Sequence, residues 1–219
     1  MKAFVAGATG RTGQCIVRAL VDRQISTRAL VRDMTKGQEL LPSSVELVQG
    51  DVLSPDNLRE AIADCDVLLC ATGAMPDFDI TGPYKVDYEG TTNLVDVARE
   101  KNIQQFVLIS SLCVSKFFHP LNLFWLVLFW KKKAEGYLQR SNVPYTIVRP
   151  GGLKSEDNDN AIKMAGADTL FEGSIPRTKV AQVSVEALFQ PSAKNKIVEI
   201  IAPEEAEAIP IPDLFVSVS

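Results

Sequence analysis

The chain is poor in the residues that most often carry chemistry. It has one histidine, His119, and four cysteines, Cys15, Cys65, Cys70 and Cys113, among 219 residues. The cysteines lie far apart, without the paired spacing of a metal site, so no metal is expected. Three of the four sit in or beside apolar runs and read as buried free thiols, which fits a reducing compartment such as the cytoplasm or a plastid stroma. His119 precedes Pro120 and reads as a loop or capping residue. An excess of basic residues is also missing. With 23 basic and 27 acidic side chains the net charge is −4, which excludes nucleic acid as the main partner because phosphate binding needs a basic field. No apolar run reaches the ~20 residues that cross a bilayer. Repeats, low-complexity stretches and signs of a second domain are absent, and no signal or transit peptide is read ahead of the first strand.

What remains is a regular alternation. A hydrophobic content of 46% against 23% charged residues is ordinary for a well-buried globular domain. KAFVAG, STRALVR, VELVQG, DVLLCAT, QFVLISS and PYTIVRPGG read as strands, and NKIVEIIA as a last one. Helices are expected from about Thr12 to Arg23, over SPDNLREAIADC, over YEGTTNLVDVAREKN, over 122–141 and over TKVAQVSVEALFQ. Strands apolar on both faces, alternating with helices, predict an α/β fold with a doubly wound parallel sheet. The expected organisation is a single domain over 1–219, with a core to about residue 152 and a variable part from 153. There LKSEDNDN reads as an exposed loop or lid, and the proline-rich tail packs on the surface or frays.

GATGRTG places Gly7, Gly10 and Gly13 between the first strand and the first helix. Glycine lets the backbone approach a diphosphate, and the helix start offers free N–H groups and a positive dipole end. The spacing departs from the dinucleotide fingerprint Gly-x-Gly-x-x-Gly, but the strand–loop–helix context is the one that motif requires. At the end of the second strand stands Arg32, followed by Asp33. An acidic residue there suits the ribose 2′-OH of NAD, whereas an arginine suits the 2′-phosphate of NADP. Arg32, with Arg11 able to reach the same side, favours NADP.

The motifs GATGRTG, LVRD, GDV (50–52), ATGA (71–74), FVLISS (106–111) and YTIVRPGG (145–152) together resemble the atypical short-chain dehydrogenase/reductase family. The branch is that of NmrA-like NADP-binding proteins and biliverdin-IXβ/flavin reductases. The likeness covers about the first 150 residues, and the stretch from Asn122 is closer still to plastid and cyanobacterial members. The resemblance implies that Gly7, Thr9, Gly10, Arg11 and Thr12 hold the cofactor, that Asp51 and Val52 flank the adenine, and that Ala71, Thr72 and Gly73 line the inner ribose. Pro150 and Gly151 would meet the nicotinamide carboxamide, and Ser111 falls on the catalytic serine. Family members keep a lysine four residues before a glutamate. Glu135 therefore selects Lys131, as a catalytic residue or as a holder of the nicotinamide ribose.

The usual tyrosine four residues before that lysine is missing, since Val127 stands there. Tyr137 and Tyr145 lie nearby without the spacing. Ordinary ketone reduction needs that acid, so the expected activity is hydride transfer to a small flavin, quinone or tetrapyrrole-like acceptor. A non-catalytic NADPH sensor or assembly protein, and an isomerase or epimerase with held cofactor, remain alternatives. From Leu121 to Trp130 nine of ten residues are apolar all round the expected helix. Such a helix is buried in its domain, pairs with a second copy, or lies on a membrane surface with Lys131–Lys133 at the headgroups.

Overall fold

The apolar run KAFVA forms strand β1 (Lys2–Ala6) in the interior of an eight-stranded sheet. The computed structural model describes residues 1–74, 79–123 and 125–218. After β1 come α1 (Arg11–Asp22), β2 (Ser26–Val31), α2 (Met34–Leu40), β3 (Glu46–Gln49), α3 (Pro55–Ile62) and β4 (Val67–Cys70). A π-helical stretch, Tyr84–Glu89, leads into α4 (Gly90–Glu100), followed by β5 (Gln105–Ile109), α5 (Val127–Gln139) and β6 (Tyr145–Pro150). The remainder holds β7 (Gly152–Lys154), β8 (Lys163–Gly166), β9 (Ser174–Pro176), α6 (Arg177–Glu186), β10 (Lys196–Ile201) and α7 (Ile211–Ser217).

The sheet order is β3-β2-β1-β4-β5-β6-β10-β8, parallel throughout except for β8, which pairs antiparallel with β10. This is the doubly wound arrangement that alternation predicts, with the order reversing between β1 and β4. Successive β1 residues point to opposite faces. Ala3 and Val5 pack with Ile16, Val17 and Leu20 of α1 and with Val180 and Val183 of α6. Phe4 and Ala6 pack with Leu58 of α3, Leu94 of α4 and Leu138 of α5.

The structure refines or departs from expectation in four places, the tail among them taking the packed alternative. Helix α2 has only seven residues, too few to show a period, and begins where the Asp33 side chain accepts the Lys36 N–H at 3.1 Å. The first residues of LKSEDNDN form β7, which pairs with β9 in a small second sheet. The tail does not simply fray: α7 buries Leu214 and Phe215, and the Lys196 ammonium donates to the Phe215 carbonyl at 3.1 Å.

The fourth departure concerns the apolar run before Trp130, which is not one helix and is not wholly buried. A 3₁₀ turn (Pro120–Leu123) comes first, Trp125 and Leu126 take left-handed φ angles of 54° and 59°, and α5 starts only at Val127. Phe124 lies outside the described residues. The cause is Asn122, the one polar residue of the run. Its Oδ1 accepts the Leu128 and Phe129 N–H groups at 2.9 and 3.2 Å, and its Nδ2 donates to the Phe117 carbonyl at 2.8 Å. That side chain satisfies the open donors of α5 and fixes where the helix begins. Leu123 is left 82% exposed and, just before the turn, Phe118 97% exposed. Among the described residues no helix is long and apolar enough to cross a membrane.

Candidate functional site

At the end of β1 the chain must turn sharply under the end of β4. Gly7 does so with φ +77°, and a Cβ there would sit 2.6 Å from the Ala71 carbonyl oxygen. A Cβ at Gly13 would collide with the Gly7 carbonyl, so α1 packs directly on the loop. The Gly10 N–H donates to the Gly7 carbonyl at 3.0 Å, and Gln14 Nε2 to the Thr9 carbonyl at 3.0 Å. No side chain caps α1, so the N–H groups of its first turn stay open to an anion. A loop without side-chain bulk, ending in free N–H donors, fits the diphosphate of a dinucleotide.

Beyond the ends of β2 and β3 lies an open cleft of about 420 Å³, lined by Arg32, Gln49, Gly50, Asp51 and Asn57. The fold thus brings Arg32 and Asp51 together. Asp33 is occupied as the α2 cap, which leaves Arg32 as the strand-end group facing the cleft. Arg11 is not among the cleft's lining residues and stands exposed at the start of α1. Asp51 accepts the Leu53 N–H at 2.9 Å, and the Val52 carbonyl accepts from Asn93 Nδ2 at 3.0 Å. Val52 also packs on α4, where a Cβ at Gly90 would lie 2.6 Å from its Cγ2.

Toward the other end of the site, a small cavity is lined by Thr72, Asp87, Thr91, Ser110 and Lys131. Lys131 Nζ lies 2.7 Å from Asp87 Oδ1, an ion pair whose aspartate side chain is fully buried. The Lys131 ammonium is the partner of Oδ1, while Oδ2 accepts the Ala74 N–H at 3.2 Å. Burial alone would pull the Lys131 pKa down. The Asp87 charge outweighs it, and the ammonium holds its proton more firmly than a free lysine. Pro150 and Gly151, at the end of β6, are not among the residues lining this cavity. The Pro150 carbonyl accepts the Leu112 N–H at 3.0 Å, and a Cβ at Gly151 would lie 2.6 Å from the Gly173 carbonyl.

Ser110, rather than Ser111, faces this cavity. Its hydroxyl donates to Glu135 Oε1 at 2.6 Å. Ser111 follows half-buried at the strand end. Glu135 also takes both Arg149 Nε and Nη2, at 3.0 and 2.7 Å. Arg149 Nη1 reaches Glu199 Oε1 at 3.1 Å and Asp168 Oδ1 at 2.9 Å. Glu199 in turn accepts the N–H groups of Asp168, Thr169 and Leu170 at 2.8, 2.9 and 2.6 Å. Arg149, Glu135 and Glu199 are all essentially inaccessible. Tyr137 points elsewhere: it donates to both Asp96 carboxylate oxygens at 2.8 and 3.0 Å, and that bond raises its pKa. It is not a displaced acid for this site.

Sequence reasoning missed Asp87, Ser110, Arg149 and Glu199. A signal existed for the last two, since each is a lone charge inside an apolar interior strand, and they stand opposite each other in the β6–β10 register. Asp87 carried a fainter mark, an acid one turn before the close-packed Gly90.

A glycine loop at the switch point, an arginine-lined cleft beyond β2 and β3 and a cavity beside Lys131 fit a dinucleotide-binding α/β protein. The chain belongs to the NAD(P)H-binding family, whose model matches residues 7–191. It is 46% identical to an uncharacterised chloroplast protein of Arabidopsis thaliana, over 99% of this chain and 82% of that one. It is 37% identical to the chloroplast protein TIC 62 of Pisum sativum, over 97% of this chain and 45% of the relative, so it spans less than half of that protein. Among solved structures, a Bacillus halodurans protein described as an NAD-dependent epimerase/dehydratase superposes with a TM-score of 0.88 at 26% identity, over 99% of both chains. The plastid likeness and the oxidoreductase-type family read from the motifs both stand.

The buried network makes a stability prediction. Arg149→Met leaves two inaccessible carboxylates without their cation and should cost about 3–5 kcal/mol in urea unfolding. A loss below ~1 kcal/mol would mean that the network is replaceable by packing.

Proposed function

We propose that the protein is an NADPH-dependent reductase whose acceptor is an extended conjugated ring of the flavin, quinone or tetrapyrrole class. One observation carries the reading: the groups beside Lys131 that would serve a ketone oxygen are absent or already committed. Val127 stands where a tyrosine acid would be. The Lys131 charge is tied to Asp87 at 2.7 Å. The Ser110 proton is directed to Glu135 at 2.6 Å. A simple ketone needs a proton or a positive field at its oxygen as charge develops there. An extended ring delocalises that charge itself and asks less of the protein.

The cofactor, when bound, supplies the hydride; this chain's residues bind and orient. Gly7, Thr9, Gly10 and Thr12 hold the diphosphate, Asp51 and Val52 the adenine, and Ala71, Thr72 and Gly73 the inner ribose. Pro150 and Gly151 border the carboxamide. Lys131 orients the nicotinamide ribose, and Ser111, half-buried at the strand end and not among the lining of the small Lys131 cavity, hydrogen-bonds the acceptor there. Arg32, free of Asp33 and open to its cleft, supports NADP(H) over NAD(H). The chloroplast relatives support a plastid stroma or cytoplasmic setting. Supporting a contact outside the fold, with a second copy or a membrane surface, are the exposed Phe118, Leu121, Leu123 and Trp125. No acidic residue occurs from Cys113 to Ala134, while four lysines do, Lys116 and Lys131–Lys133.

Fluorescence titration should give tighter binding of NADPH than of NADH. Arg32→Ala should erase a preference of roughly 10- to 100-fold, the size of one charge-assisted bidentate contact. Equal wild-type affinities would remove the NADP assignment.

NADPH oxidation against a panel should be detectable with flavins, quinones or biliverdins and negligible with simple ketones. Lys131→Met should weaken cofactor binding and turnover together, whereas Ser111→Ala should lower turnover with cofactor affinity nearly intact. Binding without oxidation by any acceptor would replace the reductase with a sensor or assembly protein, and brisk ketone turnover would mean that an acid has been overlooked.

For the exposed segment, sedimentation with anionic liposomes should pull the protein down, or a dimer should sediment without them. A monomer indifferent to liposomes would leave those side chains as bare surface.

A further inference from the structure

Helices α1 and α6 lie side by side and run in the same direction. At their far ends the Arg23 guanidinium meets the Glu186 carboxylate at 2.6 Å, an ordinary closing pair. At their near ends, beside the glycine loop, the pattern inverts: Arg11 opens α1 and Arg177 opens α6. Among the described residues neither is paired with a carboxylate. Their charges are close enough that burial, and then Arg11, push the Arg177 pKa down. Two cations are thus added to the positive ends of two helix dipoles, and the carboxylate at that end of α6, Asp157, is taken by Thr178 and Lys179 rather than by either arginine. Such an arrangement is unfavourable in isolation and favourable around a bound anion.

Arg177 also holds a segment of chain. Its Nη1 donates to the Leu153 carbonyl at 3.3 Å and to Ser155 Oγ at 3.2 Å. The next residue, Thr178, donates to Asp157 Oδ2 at 2.7 Å, and Lys179 Nζ lies 4.0 Å from Asp157 Oδ1. The first turn of α6 therefore straps down residues 153–157, which leave the sheet directly after Pro150 and Gly151 at the nicotinamide end of the site.

We propose that Arg177 and Arg11 grip the diphosphate of the cofactor held by the glycine loop, and that Arg177 carries the 153–157 strap against it. The inference rests on the cofactor placement above and is independent of turnover. It divides the labour among the arginines: Arg32 reads the 2′-phosphate, while Arg11 and Arg177 read the group that NADPH and NADH share. The neutral variant Arg177→Gln keeps an N–H donor and removes the charge.

The test is a pair of titrations, with NADPH and with NADH, on wild type, Arg177→Gln and Arg177→Lys. Arg177→Gln should weaken both cofactors by the same factor, roughly 10- to 100-fold, leaving their ratio unchanged. Arg177→Lys should recover part of the loss, having the charge without the planar fork. NADPH should protect wild type from trypsin at the exposed Lys154 and protect Arg177→Gln far less at equal occupancy. An unchanged affinity in Arg177→Gln overturns the proposal. A loss confined to NADPH does so as well, because it would place Arg177 on the 2′-phosphate. Silence of the whole acceptor panel would leave these titrations untouched, so failure of the reductase reading and failure of this one are told apart.

Discussion

The rest of the site depends on one buried cation. Arg149 lies one residue from the end of β6, inaccessible to solvent, and its three guanidinium nitrogens are taken by Glu135, Glu199 and Asp168. Burying an isolated charge is costly, and a buried pair is tolerable only when its geometry and remaining hydrogen bonds are good. Here both conditions are met. Glu135 takes two guanidinium nitrogens and the Ser110 hydroxyl. Glu199 takes the third nitrogen and three backbone N–H groups of the loop after β8. The result ties α5, β5, β6, β10 and that loop to one point. Because two long charged side chains allow little play there, the rotation of α5 about its own axis is set by Glu135.

That rotation decides the chemistry. Lys131 is one turn before Glu135 on the same face, so fixing the glutamate against Arg149 aims the lysine at Asp87. The same network draws the Ser110 proton away from the cavity. A site made in this way is rich in polar groups and poor in free acids. The raised Lys131 pKa points the same way, since an ammonium that keeps its proton more firmly is a weaker acid.

How much of this was legible follows from what each feature leaves in the sequence. Six parallel strands and the glycine loop announce themselves, because doubly covered strands must be apolar on both faces and only glycine fits against the Ala71 carbonyl at Gly7. Arg32 and Asp51 line one cleft because topology puts both at strand ends. Short elements such as α2, β7 and β8 were not legible, since three to seven residues show no period. That Ser110 lines the cavity beside Lys131 could not be read either: adjacent residues at a strand end point to opposite faces, and the strand pattern does not say which face holds the cavity. Arg149 and Glu199 were legible in principle. A charge in a central strand demands a partner, and two such strands of opposite sign were present.

The apolar run before Lys131 shows how composition misleads when a single polar residue governs. Nine apolar residues in ten suggest one helix buried all round, yet Asn122 takes the first N–H groups of α5 and forces the chain to enter it through two left-handed residues. From Val127 onward the helix is pinned twice to the stretch that carries Asp87. On the inner side Lys131 meets Asp87 at 2.7 Å. Next to it in sequence, Trp130 packs edge-on to Tyr84 with ring centroids 5.0 Å apart and tilted on Tyr88 at 5.7 Å. Polar and aromatic contacts thus lie on neighbouring residues of the same two elements. A force on the aromatic surface, whether from a second copy or a lipid headgroup layer, would act on the segment that positions the lysine. The segment that exposes Phe118 and Leu123 is therefore continuous with the one that holds Lys131 against Asp87.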